Sequence, residues 1–282
     1  MKRLRQFFTK PPAATFCAAP PAASGTVIAG VPYDLGNGVG AGTRGAPARL
    51  RAVAAELGLL TAGVAADLGD LRFTYGEDPE SILTRLGGAA AELFAGPLRP
   101  LFVGGDHSIS LPIVDRLARR QELAILWLDA HTDFSLPNPA TVGDHKEVLR
   151  RISRLPGIRR IVHAGYRGYT LGDETRLGDT VRVLTTAALR RHGPAAVLAA
   201  LPEELACYVS IDIDILDPAF APGTSTPVPG GLTLHELEDL LSTVLRRRRV
   251  LGTDLVEINP ACDIGDRTAH VGCQLLAVVA GS

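Results

Sequence analysis

The chain has 282 residues, a formal net charge of −1 and 46% hydrophobic residues. This near-neutral balance leaves no basic footprint for nucleic acid or an anionic membrane surface, and no apolar run reaches the ~18 residues of a membrane span. The four cysteines (Cys17, Cys207, Cys262, Cys273) lie far apart without CxxC spacing and read as thiols of a reducing compartment, not as a disulfide framework.

Residues 1–25, rich in Pro and Ala, predict an irregular N-terminal arm. Lys10, Pro11 and Pro12 break any signal-peptide core behind Lys2, Arg3 and Arg5, so a cytoplasmic enzyme is expected. No Gly/Ser- or Pro-rich linker interrupts the remainder, and residues 26–282 read as a single domain. Thr26 to Val31 predicts the first strand, followed by a Gly-rich loop from Gly36 to Gly45. A helix is expected from Ala46 to Leu59, with Pro47 in its first turn, and a second amphipathic one from Pro79 to Phe94. Leu101 to Val103 then forms a strand leading through Gly104-Gly105 into a helix from Ser108 to Arg120.

The alternation continues to the end of the chain. Strands are expected at Leu123–Leu128, Ile158–Ala164, Val181–Leu184, Tyr208–Ile213 and Val250–Val256, and helices at Lys146–Ser153, Ala187–Ala200, Leu234–Arg246 and Thr268–Val279. Continuous apolar strands between helices predict a parallel sheet covered on both faces, an α/β fold. The basic run Arg246 to Arg249 reads as the last turn of a helix, where the helix dipole favours cations.

Three strand ends carry chemistry. Asp129-Ala130-His131-Thr132-Asp133 follows an apolar strand and places two carboxylates and an imidazole at alternate positions, which share a face in an extended chain. Asp212 and Asp214 repeat the device, and Gly104-Gly105-Asp106-His107-Ser108 ends the third strand. Ligands bind beyond the carboxyl ends of such strands. His107, Asp129, His131, Asp133, Asp212 and Asp214 are therefore candidate metal ligands. Four crowded carboxylates raise one another's pKa, and two divalent cations would balance their charge. The oxygen-rich set with imidazoles and no thiolate suits Mn²⁺ better than a structural zinc; Ni²⁺, Co²⁺ and Fe²⁺ are compatible with it. A calcium loop at Asp212-x-Asp214-x-x-Asp217 fails because Ile213, Ile215 and Leu216 are apolar. Asp106 and Asp217 read as turn residues.

These three segments resemble the signatures of the ureohydrolase family, binuclear manganese enzymes that include arginase and agmatinase. The resemblance extends from Gly30-Val31-Pro32-Tyr33-Asp34 to Glu257-Ile258-Asn259-Pro260. It implies a three-layer α/β/α fold with a mostly parallel central sheet, two Mn²⁺ ions bridged by hydroxide, and hydrolysis of a guanidino group to urea and an amine. One ion would be held by His107, Asp129, Asp133 and Asp212, the other by Asp129, His131, Asp212 and Asp214. Glu257 matches the guanidinium-binding Glu, and His145 the acid/base His that protonates the leaving amine; with Asp133 these are the candidate catalytic residues. Where many members have Gly after that His, this chain has Lys146-Glu147-Val148-Leu149-Arg150-Arg151, as in a shorter agmatinase-like branch. The resemblance also implies a homo-oligomer, a trimer or hexamer, with the N-terminal arm as a candidate contact.

Residues around the site bear on the substrate, expected to be a small guanidino compound. The loop Phe134-Ser135-Leu136-Pro137-Asn138-Pro139 is more apolar than an arginase loop, and Gly168-Tyr169-Thr170 lacks the acidic residue that arginases place there. Agmatine is the first expectation, with 4-guanidinobutyrate or a specialised guanidino metabolite next. Formimino hydrolysis would need a cation for an acidic substrate end, for which Arg44 or Arg167 could serve. A non-enzymatic metal-binding homologue is the remaining alternative, weakened because every ligand position, Glu257 and His145 are filled. His163 and Tyr166 read as core residues.

Overall fold

The computed structural model describes residues 2–12, 15–16, 25–36, 40–58, 63–74, 76–136, 144–167 and 177–281. Among the described residues eight strands form one sheet: β1 (Thr26–Gly30), β2 (Val64–Asp70), β3 (Arg99–Val103), β4 (Leu123–Leu128), β5 (Ile158–Tyr166), β6 (Val181–Thr185), β7 (Ala206–Asp212) and β8 (Val250–Val256). Their order is β2-β1-β3-β8-β7-β4-β5-β6, and every pairing is parallel. The helices are α1 (Ala46–Glu56), α2 (Pro79–Phe94), α3 (Ser110–Ala118), α4 (Val148–Ile152), α5 (Thr186–His192), α6 (Pro194–Ala200), α7 (Leu234–Arg247) and α8 (Arg267–Ala280).

The three layers follow from side-chain alternation along the strands. On β4, Ala124, Leu126 and Leu128 pack with Leu50 and Val53 of α1, Leu241 of α7 and Leu275 of α8. Leu123, Ile125 and Trp127 face the other way, toward Leu86 of α2, Ile113 of α3 and Leu149 of α4. Both faces of the strand are buried, which is why it reads as an unbroken apolar run. Helix α7 shows the helical counterpart. Leu237, Leu240, Leu241 and Val244 form its buried stripe, and Thr233 with Glu236 closes a capping box at its start. Truncating a buried leucine such as Leu241 to Ala would cost roughly 2–5 kcal/mol. Arg246 and Arg247 occupy its last turn, as the basic run predicts.

Four expectations need correction. The segment expected as an irregular arm contains a 3-10 turn at Lys2–Gln6, and Phe8 and Phe16 are buried. Phe8 bridges Leu71, and the Phe16 amide donates to Asp67, so the sheet edge supplies partners for this segment. Strand β2 was not anticipated: Val-Ala-Ala-Asp-Leu-Gly-Asp carries Gly and two Asp that oppose strand propensity. The buried guanidinium of Arg51 compensates by pairing with Asp67 at 2.8 Å and Asp70 at 2.6 Å. The helix expected over Ala187–Ala200 is two helices, because Gly193 turns into φ 60° and Pro194 starts afresh without an N–H. The helix expected from Ser108 begins instead as a 3-10 turn at His107–Ile109, with α3 starting at Ser110. The predicted end of α1 at Leu59 lies outside the described residues.

Among the described residues no helix is long and apolar enough to cross a membrane.

Candidate active site

Strands β3, β8, β7 and β4 lie side by side in the middle of the sheet, so their carboxyl ends form one continuous rim. Beyond β3 the chain turns sharply. A Cβ on Gly105 would stand 1.7 Å from the Tyr33 carbonyl oxygen, so only Gly fits this close approach. Asp106 then caps the turn His107–Ile109, accepting from the Ser108 amide at 3.0 Å and the Gly36 amide at 2.8 Å. Its predicted turn role holds, as does that of Asp217, which accepts from the amides of Ala219 and Gly230.

The rim assembles the carboxylates and imidazoles. His107 Nδ1 lies 3.4 Å from Asp129 Oδ2, 3.2 Å from Asp133 Oδ2 and 3.2 Å from Asp212 Oδ2. His131 Nδ1 lies 2.8 Å from Asp214 Oδ2 and 3.7 Å from Asp129 Oδ1. Two triads, His107-Asp129-Asp133 and Asp129-His131-Asp214, each have ligand atoms within 4.8 Å of one another and share Asp129. Asp212 stands outside both triads but touches His107. The backbone is held just as closely: the His131 amide donates to Asp129 at 2.6 Å, the Ala130 amide to Asp214 at 3.0 Å, and the Asp214 amide to Asp212 at 2.9 Å.

Electrostatics express the crowding. Burial and the Asp129 charge push Asp133 up to about 6. Burial with Asp214 and Asp129 raises Asp212 well above the carboxylate range, and burial with Asp129 raises Asp214. Burial works against charged imidazoles here too, but the surrounding carboxylates lift His107 well above its ordinary value and His131 to about 12. Asp129 goes the other way: burial would raise it, and His107 and His131 pull it down. His107 Nδ1 and Asp214 Oδ2 are buried and make no well-directed hydrogen bond among the described residues, their neighbours being the other carboxylates and imidazoles of the cluster. Unsatisfied ligand atoms amid three buried carboxylates and the half-buried Asp133 are what a pair of divalent cations would satisfy, so the donor set fits such ions.

Beside this cluster stand Glu257 and His145. Glu257 follows β8 at φ 62°, a left-handed conformation that a non-glycine residue adopts at a cost of roughly 1–3 kcal/mol; Asp133, at φ 47°, shares it. Glu257 Oε1 accepts from the His107 amide at 2.8 Å and lies 3.0 Å from His145 Nδ1. Burial opposes the imidazolium of His145, but Glu257, Asp133 and Asp106 raise it to about 9.

The structure separates the remaining expectations. Arg167 donates to the carbonyls of Gly165, Asp214, Ile215, Leu216 and Val228, so its guanidinium clamps the Asp214 turn and is not available to an acidic substrate end. Arg44 lies 3.6 Å from Asp34. His163 is buried and Tyr166 half-buried, with ring centroids 6.0 Å apart, in keeping with packing roles. Residues 137–143 and 168–176, from which substrate preference was read in part, lie outside the described residues.

Sequence reading missed Trp127, Ser110, Tyr208 and Asp254, and gave Ser210 no role. Trp127 stacks on His107 at 3.9 Å and donates to Asp129 at 3.0 Å. Asp254 gathers the three hydroxyls. A charge in the middle of the apolar strand Val250–Val256 was the available signal, since a buried carboxylate demands partners.

An α/β/α layer structure with a paired acidic and imidazole cluster on its strand ends defines a candidate metallohydrolase. The Arginase family model matches residues 24–281, and the chain belongs to that family of binuclear metal enzymes acting on C–N bonds. It is 33% identical over 264 residues to an agmatinase of Proteus mirabilis, covering 88% of this chain and 84% of that one. It is 34% identical over 280 residues to a guanidinopropionase of Pseudomonas aeruginosa, covering 91% and 86%. Its fold is similar to that of proclavaminate amidino hydrolase from Streptomyces clavuligerus, with TM-score 0.85, 29% identity and 96% of each chain covered.

Proposed function

We propose that this chain hydrolyses the guanidino group of a small linear substrate to urea and an amine, with agmatine the substrate assigned and putrescine the amine. The observation that carries the reading is the pair of triads sharing Asp129, set beside the Glu257–His145 pair. His107, Asp129, Asp133 and Asp212 would hold one ion, and Asp129, His131, Asp212 and Asp214 the other, Mn²⁺ being the ion assigned. When bound, such a pair supplies Lewis acidity and a water-derived nucleophile active near neutral pH.

The chain's own residues account for the rest of the chemistry. A guanidinium is planar and resonance-stabilised, so it must be oriented as well as attacked. The Glu257 carboxylate supplies charge-assisted acceptance of guanidinium N–H groups, and its contacts with the His107 amide and His145 set it beside the cluster. His145 directs Nδ1 at Glu257, while its Nε2 is buried without a hydrogen-bonding partner among the described residues. Nε2 is therefore the atom that delivers a proton to the leaving amine. Residues 26–282 act as one catalytic domain in this reading, in the cytoplasm and as a homo-oligomer.

The guanidinopropionase relative favours a second substrate class, a short guanidino acid. Formimino hydrolysis loses one of its two candidate cations, Arg167, to backbone carbonyls and keeps only Arg44 beside Asp34. Urea release by the Mn²⁺-loaded protein from agmatine, arginine, 4-guanidinobutyrate and 3-guanidinopropionate tests the reading. Turnover of agmatine supports the assignment, turnover of a guanidino acid alone selects the second class, and no urea from any of them opposes both.

A further inference from the structure

We propose that the cleft between the N-terminal segment and strand β2 is a binding site for a small amphipathic anion, a carboxylate or phosphate monoester on a short apolar chain. The site lies apart from the metal cluster, and the proposal does not rest on the metal-centre reading.

Strand β2 is an edge strand, and the first residues of the chain cover it. The Thr9 amide donates to the Asp70 carbonyl at 2.8 Å, the Arg72 amide to the Phe7 carbonyl at 2.8 Å, and Phe8 bridges Leu71 in antiparallel fashion. Gly69 permits the close approach. It sits at φ 80°, and a Cβ there would stand 2.3 Å from the Thr9 carbonyl oxygen. The two walls leave a cavity of about 470 Å³ between them, within the size range of small-molecule sites.

The lining of this cavity is divided by chemistry. Leu4, Phe8 and Leu68 give it apolar surface, while Arg5, Lys10 and Arg72 bring three cations. Other arginines close by have acidic partners: Arg3 lies 3.9 Å from Glu92, and Arg85 pairs with Glu77. Arg5, Lys10 and Arg72 have no such partner among the described residues. Asp67, the acid in the lining, is already taken up. Its Oδ1 accepts from Arg51 and the Gly69 amide, and its Oδ2 from Arg51, the Thr15 hydroxyl and the Phe16 amide. Three uncompensated cations around apolar surface select one kind of ligand. Two guanidinium groups and an ammonium suit an anionic head, and the leucines and Phe8 suit a short apolar tail. Because Arg5 and Lys10 belong to the N-terminal segment and Arg72 follows β2, a bound anion ties the segment to the sheet.

The test titrates octanoate, octyl phosphate, octanol and octylammonium into the full-length chain by calorimetry, comparing wild type with Arg5→Ala, Arg72→Ala and the double variant. Both arginines are exposed, so the variants should fold and melt like wild type. Wild type is expected to bind at least one of the two anions at a single site, with octanol and octylammonium roughly tenfold weaker or more. The tighter anion identifies the head group. Each substitution should weaken anion binding by roughly tenfold or more, as expected for loss of a charge-assisted hydrogen bond, and added salt should weaken it further. The bound anion should raise the melting temperature of wild type and not that of the double variant. No binding of either anion at millimolar concentration would overturn the proposal, as would octanol binding as tightly as the anions. Unchanged anion affinity in the double variant would also overturn it, by assigning the anion to another place such as the metal cluster.

Discussion

His145 and Glu257, 112 residues apart in sequence, meet at 3.0 Å between Nδ1 and Oε1, although one opens a loop turn and the other leaves a central strand. The contact gives the two residues separable roles. His145→Asn should lower kcat by roughly 10²- to 10⁴-fold with KM nearly unchanged, as expected for loss of a general acid. Glu257→Gln removes a charged acceptor worth about 1.5–3 kcal/mol and should lower kcat/KM by roughly 10- to 150-fold. Steady-state kinetics on the two variants separates them; equal effects on kcat and KM in both would contradict this division.

Metal removal should destabilise the fold. Asp133, Asp212 and Asp214 are raised by burial and by neighbouring carboxylates, so the cluster repels itself when no cation intervenes. An ion present at about 100 times its Kd stabilises the folded chain by about 2.7 kcal/mol. Chelator treatment should therefore lower Tm by several degrees, and added Mn²⁺ should restore it. Differential scanning calorimetry with metal content measured in parallel checks this. An unchanged Tm after verified stripping would show that the cluster is stable alone.

At the β2 edge of the sheet, Arg51 and Asp67 form a buried ion pair with side chains 0% and 1% exposed. Asp67→Ala should cost about 3–5 kcal/mol, moderated because Asp70 still pairs with Arg51. The pair also has a pH signature. Burial would raise the Asp67 carboxyl, but the Arg51 guanidinium overcomes this and holds it below its ordinary value. A carboxyl depressed in the folded state contributes stability above its unfolded pKa of about 3.9, and that contribution is lost as pH falls through the lower folded value. The stability gap between wild type and Asp67→Asn should be constant from pH 6 to 8 and shrink below about pH 4. Urea unfolding at pH 7, 5 and 3 measures it; a gap that widens in acid would contradict the sign.

Arg167 offers a test of specificity. Because its guanidinium is taken up by the carbonyls of the Asp214 turn and of Val228, Arg167→Lys should destabilise the chain by about 1–3 kcal/mol. The ratio of kcat/KM for agmatine to that for a guanidino acid should not change. A selective loss toward the acid would instead make Arg167 a substrate receptor.

The strands that bear the clusters were legible because a strand buried on both faces is mostly apolar, as Leu123–Leu128 is throughout. The candidate ligands Asp129, His131, Asp133, Asp212 and Asp214 stood out in the sequence because residues leaving a strand end keep a two-residue period, and His107 because it follows the Gly104-Gly105 turn. Strand β2 was not, because its polarity makes sense only beside Arg51, a tertiary partner that no local pattern announces. The same holds for Asp254, whose partners come from α3 and β7. The break at Gly193-Pro194 was visible in residue type, yet the apolar spacing on either side favours a continuous helix.

The most direct test of the account is product analysis on wild type and Asp129→Ala, each incubated with agmatine after Mn²⁺ loading and desalting. Asp129 belongs to both triads, so its loss should remove bound metal and turnover together. The account predicts two Mn²⁺ per wild-type chain with urea and putrescine released in equal amounts, and neither metal nor urea with Asp129→Ala. Full turnover by Asp129→Ala, or two bound ions in that variant, would contradict the assignment of the site.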